Sequence, residues 1–74
     1  MSGESAFVVE GAVVEKLPNG LLRLELANGH RLLGHVARRQ APLLKMVKVG
    51  AVMTVKLSPG DLSHGYVTLN ESKL

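Results

Sequence analysis

The stretch LPNGLLRLELANGHRLLGHV, residues 17–36, contains two turn signals about nine residues apart. Asn19-Gly20 is a strong hairpin signal, because a type I′ turn requires positive φ at both central positions and these two residue types tolerate it. Asn28-Gly29 repeats the signal. The stretch therefore predicts three antiparallel strands joined by two tight turns.

The segment between the two turns has the period of a strand. Leucines at positions 22, 24 and 26 alternate with Arg23 and Glu25. A period of two over six residues indicates a strand with one buried face. We therefore expect the leucines to point into a core and the charged residues to face solvent.

Similar patterns on either side raise the predicted strand count to five. Residues 6–16 are rich in β-branched side chains, and Gly11 within them suggests a bend or bulge. The third strand is predicted at 30–36, where Gly34 suits a sharply coiled sheet, the fourth at 50–58 and the fifth at 66–70, with a loop at 59–65. Residues 37–47 favour a helix, which Pro42 limits to one or two turns.

This order of elements predicts an all-β fold. Five short strands with a short helix or helical loop between strands 3 and 4 match a five-stranded Greek-key barrel of the oligonucleotide/oligosaccharide-binding (OB) kind. Closing the sheet removes edges that a chain of 74 residues could not otherwise cover. Another small barrel, such as an SH3-like one, is the alternative. We expect a flexible tail at 1–5, one domain at 6–70 and a second tail at 71–74.

Composition limits the possible functions. Phe7 and Tyr66 are the only aromatic residues, so the core must be aliphatic. The absence of cysteine excludes disulfides, thiolate zinc sites and cysteine nucleophiles. No apolar run reaches the roughly 18 residues of a membrane helix. A small domain without disulfides suits a reducing cytoplasm, where we expect this protein to act as a monomer away from membranes.

The placement of charge is more informative than its total. The net charge is +3, yet residues 27–60 contain no Asp or Glu. Because an acidic surface repels phosphates, an acid-free basic span is what a groove that follows a nucleic-acid backbone requires. The cations of this span are Arg31, Arg38, Arg39, Lys45, Lys48 and Lys56. The alternative is that these cations are ordinary solvent-exposed residues of strands and of a helical loop.

Evidence for catalysis or a metal site is weak. His30 and His35 are five apart on one predicted strand and are expected on opposite faces, with His64 in a distant loop. Ser63 and His64 are adjacent and cannot easily align as nucleophile and base, and Asp61 is an ordinary turn residue. We therefore expect no enzymatic activity, no metal and no cofactor.

Aromatic stacking partners for bases are scarce. Single-strand OB binders use several aromatic side chains, each worth about 1–3 kcal/mol per base. This chain offers Tyr66, Phe7 and its histidines. We therefore expect recognition of the backbone and shape of a folded RNA, with little reading of isolated strands.

Several segments resemble the bacterial translation initiation factor one family. The family's landmarks are G-x-V-x-E-x-L-P-N, then V-E-L-E-N-G-H with a histidine five positions later, then V-x-L-(S/T)-P-Y-D-L-(S/T)-(K/R)-G-R-I. They correspond here to residues 11–19, 24–30, His35 and 55–67. The match covers nearly the whole chain without gaps.

The resemblance implies a translation factor that binds ribosomal RNA of the small ribosomal subunit at the decoding (A) site. Its partners would be that RNA, a neighbouring ribosomal protein and the other initiation factors. His30, His35, Arg38 and Arg39 are the candidate contacts carried over from the family. With the remaining residues suggested by charge and stacking, the predicted RNA-binding set is His30, Arg31, His35, Arg38, Arg39, Lys45, Lys48 and Tyr66.

The chain departs from the family's pattern at several cationic or aromatic positions. Ala41 and Pro42 stand where Arg-Lys is typical, and Gly60 replaces a tyrosine. Leu44 replaces another tyrosine and Met46 an arginine, while the last strand has two cations fewer. Fewer phosphate contacts imply weaker affinity and a shallower salt dependence.

Two alternative functions follow from these departures. The apolar residues 43, 44, 46 and 47 either pack against the barrel or form an exposed patch for a protein partner. A paralogue of that kind would be a protein-interaction module. A general RNA chaperone is the other alternative, although its stacking aromatics are scarce here.

Overall fold

A computed structural model of the chain describes residues 6–69, so the predicted tails at 1–5 and 71–74 and the last predicted strand residue, Asn70, lie outside it. Five strands form within the described part: β1 (Phe7–Leu17), β2 (Leu21–Leu26), β3 (Arg31–Val36), β4 (Val52–Ser58) and β5 (Asp61–Thr68). A 3₁₀ helix (Arg38–Met46) lies between β3 and β4. The predicted all-β fold with a short helix in this position is confirmed.

The strands close into one barrel in the order β1-β2-β3-β5-β4. The β3–β5 pair is parallel, and the other pairs, including β4 with β1, are antiparallel. The parallel pair is possible because the 3₁₀ helix and β4 separate β3 from β5 along the chain. This closure is the Greek-key arrangement of an OB fold.

Both predicted turns form, with three residues between β1 and β2 and four residues between β2 and β3. Asn19 has φ of 64° and Gly20 φ of 76°, as a left-handed turn requires. Leu17 pairs with Leu21, and Pro18 stays outside the ladder because it has no N–H to donate. In the second turn only Gly29 takes positive φ, at 88°, and its N–H donates to Leu26 at 2.9 Å.

The core is aliphatic, as predicted. Alternation in β2 buries Leu22 and Leu24 completely, while Arg23 stays outside. Each fully buried leucine or valine contributes about 1.5–3 kcal/mol relative to an exposed one. The buried hydrophobic residues are Val13, Leu22, Leu24, Leu32, Val47, Met53, Val55, Leu57, Val67 and Leu69.

The bulge of β1 is not at Gly11. Gly11 pairs regularly with Leu26 on one side and Met53 on the other, and the register shifts later, between Val13 and Glu15. A Cβ on Gly11 would lie 3.2 Å from the Leu26 side chain. The glycine is therefore explained by close packing inside the barrel.

The fifth strand begins five residues earlier than predicted. Turn residues in 59–65 suggested a loop, but only Pro59 and Gly60 form the turn, and β5 begins at Asp61. Pairing of Asp61 with Ser58 of β4 and of His64 with Leu33 of β3 supplies ladder partners that local composition does not reveal. The fourth strand begins two residues later than predicted, since Gly50 adopts a φ of 99°.

The helix between β3 and β4 is longer than predicted. It runs for nine residues through Pro42, which corresponds to about three turns of a 3₁₀ helix. The Gln40 side chain fixes it to the end of β5, donating to the Leu69 carbonyl at 2.9 Å and accepting from the Leu69 N–H at 3.2 Å. Tertiary contacts therefore hold this segment where helix propensity alone would not.

Candidate nucleic-acid interface

One side of the barrel carries aromatic and basic side chains in a row. Since strand residues alternate in and out, the outward positions of β3, β5 and β4 are neighbours across the ladder. His35 pairs with Tyr66, and Tyr66 pairs with Lys56 on its other side. Tyr66 is 70% exposed. We call His35, Lys56, His64 and Tyr66 the histidine face.

The two histidines of this face are in direct contact. His35 Nε2 lies 2.9 Å from His64 Nδ1, and the rings stack with centroids 5.1 Å apart. His35 also lies against Tyr66, with centroids 5.8 Å apart and planes at 42°. The prediction that His64 lies in a distant loop was wrong, because the parallel β3–β5 pairing brings it beside β3.

The face surrounds a shallow hollow of about 440 Å³. Ser58 and Asp61 complete its lining beside the four residues of the histidine face. An open hollow with ring faces and one lysine suits a flat, negatively charged ligand such as a nucleotide better than a deeply enclosed small molecule.

The hydrogen bonding of Asp61 argues against a catalytic role. Its Oδ1 accepts from Ser63 Oγ at 2.8 Å and from the Ser63 N–H at 3.1 Å. These bonds, and to a lesser degree the nearby His64, lower the pKa of Asp61. Ser63 thus donates to a carboxylate and no histidine receives its proton, so the residues form a turn and not a nucleophile–base pair.

His30 lies just before β3 and also reaches β5. Its Nε2 is 2.8 Å from the Leu62 carbonyl oxygen, and its backbone N–H donates to Asn28 Oδ1. His30 lies outside β3, so strand alternation does not fix its direction relative to His35, and both rings bond to β5. Among residues 6–69, no three His, Asp, Glu or Cys side chains are grouped closely enough to hold a metal ion.

Three of the predicted arginines lie along β3 or directly beyond it. Arg31 opens the strand opposite Glu25 of β2. Arg38 and Arg39 are exposed at the start of the 3₁₀ helix, which Gln40 fixes to the end of β5. Arg38 and Arg39 therefore lie just beyond the carboxyl end of the β3–β5 pair.

The other predicted lysines are placed elsewhere. Lys45 borders a hollow shared with Lys16, Leu17 and Leu21, near the β1–β2 turn. Lys48 precedes Gly50, whose N–H donates to Val13 of β1. The structure thus brings His30, Arg31, His35, Arg38, Arg39 and Tyr66 to the β3–β5 side and leaves Lys45 and Lys48 nearer β1.

The apolar residues of the helical segment mostly face the barrel. Val47 is buried, and Leu43 and Leu44 pack against the core. Only Met46 is largely exposed, at 51%. This packing removes most of the apolar patch that a protein-docking function of this segment would need.

Comparison with known proteins gives an informative similarity. No family model matches the chain. The solution structure of translation initiation factor one from the Wolbachia endosymbiont, strain TRS, of Brugia malayi matches with a TM-score of 0.66. It is 27% identical in sequence, and the match covers 93% of this chain and 84% of that one.

The chain resembles translation initiation factor one. The resemblance inferred from the sequence landmarks is therefore confirmed, together with the OB fold. Similarity to initiation factor one supports a function of the translation initiation factor kind and points to a non-enzymatic protein. Within residues 6–69, no helix has the length and apolar character needed to cross a membrane.

Two residues of the site were missed at the sequence level. Lys56 was counted as a cation of the acid-free span, but nothing local placed it beside Tyr66. His64 stands where the landmarks of the initiation factor one family have Lys or Arg, and Tyr66 where they have Arg. That substitution of aromatic rings for cations was the available signal, since two rings at alternate positions of one strand share a face.

Proposed function

We propose that this chain is a translation initiation factor that binds ribosomal RNA of the small ribosomal subunit at the decoding (A) site. In this role it assists the other initiation factors and contacts a neighbouring ribosomal protein. It acts in the cytoplasm as a monomer, without a cofactor. The similarity to initiation factor one over 93% of the chain carries this proposal.

The distribution of charge and rings supports the RNA-binding part. Histidine, tyrosine and guanidinium planes stack on unpaired bases, and arginines bind phosphates. The β3–β5 side presents all three types, with Tyr66 mostly exposed. The proposed contacts are His30, Arg31, His35, Arg38, Arg39, Lys45, Lys48 and Tyr66.

Among residues 6–69, Glu10 and Glu15 lie on β1, away from this side, whereas Glu25 of β2 pairs with Arg31 of β3. Glu15 pairs with Arg23 at 3.3 Å on the β1–β2 ladder. Glu10 and Glu25 line a separate hollow with residues of β1, β2 and β4. The carboxylate near the histidine face belongs to Asp61, which is already engaged by Ser63. A phosphate backbone that approaches β3 and β5 therefore meets the cations of this side together with the carboxylate of Asp61.

Co-sedimentation with purified small ribosomal subunits tests the proposal. Binding is measured across a salt series, and we expect log affinity to fall linearly with log salt concentration, with a slope of roughly −0.7 to −0.9 per phosphate contacted. Competition by a standard initiation factor one should displace the bound protein. Absence of binding at low salt, or binding that the standard factor does not displace, would reject the A-site assignment.

A functional replacement experiment addresses the initiation role separately. A translation extract depleted of its own initiation factor one is supplemented with this chain, and initiation complexes are counted. Recovery of initiation supports a genuine initiation factor. Subunit binding without recovery of initiation would identify a paralogue that kept the RNA-binding site and lost the initiation function.

A further inference from the structure

The contact between His35 and His64 restricts their protonation. A hydrogen bond between two imidazole nitrogens 2.9 Å apart needs one N–H donor and one unprotonated acceptor. Two fully protonated rings have only donors and cannot keep this bond. The pair in the observed geometry therefore carries at most one positive charge.

Charged and titratable groups lie on β3 itself and on each strand that neighbours the pair. They are Arg23 on β2, Arg31 on β3, Lys56 on β4, and Asp61 and Tyr66 on β5. Arg23 is held by Glu15, whereas Lys56 lies in the same hollow as both histidines. The hollow therefore contains one permanent cation, Lys56, and a histidine pair that can become doubly protonated.

We propose that the hollow between His35, Lys56 and His64 is a subsite for one RNA phosphate, which binds together with a proton taken up by the histidine pair. The inference rests on the proposed function for the identity of the RNA. An anion seated beside Lys56 would accept hydrogen bonds from imidazole N–H groups. That favours the doubly protonated pair, since an opposite charge within about 4–6 Å stabilises the charged form.

The negative charge of Asp61 favours protonation of the histidine pair and disfavours binding of the phosphate. Its carboxylate lines the hollow and attracts a charged His64. Asp61 Oδ1 accepts hydrogen bonds from both the N–H and the hydroxyl of Ser63. Part of the carboxylate's hydrogen-bonding capacity is therefore used within the turn. If phosphate bound without a proton, Lys56 alone would balance the negative charges of the phosphate and Asp61. Uptake of a proton by the histidine pair adds a second positive charge.

The first test uses the free protein and sulfate, which remains a dianion when the protein is titrated from mildly acidic to mildly basic pH. Ring resonances of all three histidines are followed by NMR through a pH titration with and without sulfate. We expect saturating sulfate to move the ring resonances of both His35 and His64 toward those of the protonated form at a given pH. His30, bonded to a carbonyl, is the internal control and should move much less.

Matched variants separate a proton-dependent site from simple packing. His64→Gln keeps a hydrogen-bonding group and removes the titration, and it should abolish the sulfate effect at His35. His64→Lys supplies a fixed charge, so sulfate binding should differ less between about pH 6 and about pH 8 than in the wild type. Lys16→Gln, outside the proposed contact set and in a different hollow, should leave the effect intact. Equal sulfate effects at all three histidines, or none, would overturn the subsite.

The second test connects the subsite to RNA. Affinity for purified small ribosomal subunits is measured over a salt series at about pH 6 and about pH 8, on either side of the ordinary histidine pKa. The salt slope should be steeper at the lower pH by roughly 0.7–0.9 per proton taken up, and His64→Gln should remove this difference. Sulfate-linked proton uptake without any subunit binding would reject the proposed function while retaining the subsite. Subunit binding with a pH-independent slope would reject the subsite while retaining the function.

Discussion

Gly34 of β3 and Gly65 of β5 lie directly opposite each other in the parallel ladder that closes the barrel. Both are buried. A Cβ on Gly34 would lie 2.6 Å from a Val67 methyl group, and one on Gly65 would lie 2.6 Å from a Val55 methyl group. The barrel can close on its aliphatic core at this point because neither strand carries a side chain there.

Alanine at either glycine should therefore destabilise the barrel. We expect Gly34→Ala and Gly65→Ala each to lower the free energy of unfolding by about 1–3 kcal/mol through overpacking. Urea unfolding followed by far-ultraviolet circular dichroism measures the effect. Gly60→Ala is the matched control, since a Cβ there meets nothing within 4 Å, and its midpoint should change little. Equal stability of all three variants would mean that the core side chains around Gly34 and Gly65 rearrange to accommodate an added methyl group.

The Gln40 contact with Leu69 should be a principal attachment of the 3₁₀ helix. Gln40→Ala leaves the N–H and carbonyl of buried Leu69 without these partners, which should cost about 1–3 kcal/mol. In the same variant, hydrogen exchange at the Leu69 amide should be faster than in the wild type. Arg39→Ala, one residue away and exposed, is the control. Unchanged exchange at Leu69 would show that other contacts fix the end of β5.

Charge reversal at Arg38 and Arg39 should weaken binding to small ribosomal subunits without unfolding the protein. Both side chains are exposed, and removing an arginine that binds a phosphate should reduce the salt slope by about one. Co-sedimentation of the Arg38→Glu, Arg39→Glu double variant measures the weaker binding, and circular dichroism checks the fold. Wild-type affinity would place the RNA interface elsewhere on the barrel.

Lys45 and Lys48 test how far the RNA interface extends around the barrel. If RNA reaches the side near β1, Lys45→Ala and Lys48→Ala should each reduce the salt slope by about one. Lys16→Ala is the control, because Lys16 borders the same hollow as Lys45 but is outside the proposed contact set. A slope unchanged by both variants would confine the interface to β3, β5 and the start of the helix.

Removal of the Ser63 hydroxyl should raise the pKa of Asp61. The two hydrogen bonds from Ser63 favour the ionised carboxylate, and Ser63→Ala removes the larger contribution. The folded pKa is depressed, so the stabilisation is present above the unfolded value of about 3.9 and is lost as pH falls through the folded pKa. NMR titration of the Asp61 carboxyl measures the shift.

The pH dependence of stability provides a second measurement of the same contact. The unfolding midpoints of wild type and Ser63→Ala should differ near about pH 6 and converge as the pH falls through the folded pKa of Asp61. Ser58→Ala, at the other side of the hollow, is the control. A difference that persists unchanged into strong acid would assign the effect to the hydroxyl itself and not to the charge on Asp61.

Local sequence signals predicted the turns and the alternation of β2. Asn19-Gly20 favours positive φ whatever surrounds it, and Leu22 and Leu24 face the core because a strand has a period of two. The OB order followed from counting such segments. These features depend on residues adjacent in sequence, which is why they could be predicted without coordinates.

The histidine face could not be predicted in this way. The contact between His35 and His64 spans 29 residues and depends on a parallel pairing that no turn signal indicates. Asp61 and Ser63 favoured a loop by composition, yet ladder partners on β3 and β4 extend β5 through them. Likewise, Pro42 limited the expected helix because the anchoring of Gln40 to Leu69 is a tertiary contact.

The aliphatic core has a practical consequence for spectroscopy. The chain has one tyrosine and no tryptophan, and that tyrosine, Tyr66, stands on the histidine face beside His35. Its intrinsic fluorescence therefore originates at the proposed ligand site and not in the interior. Unlabelled protein thus contains a built-in optical probe of ligand capture, which a barrel with an aromatic core would mask with background emission.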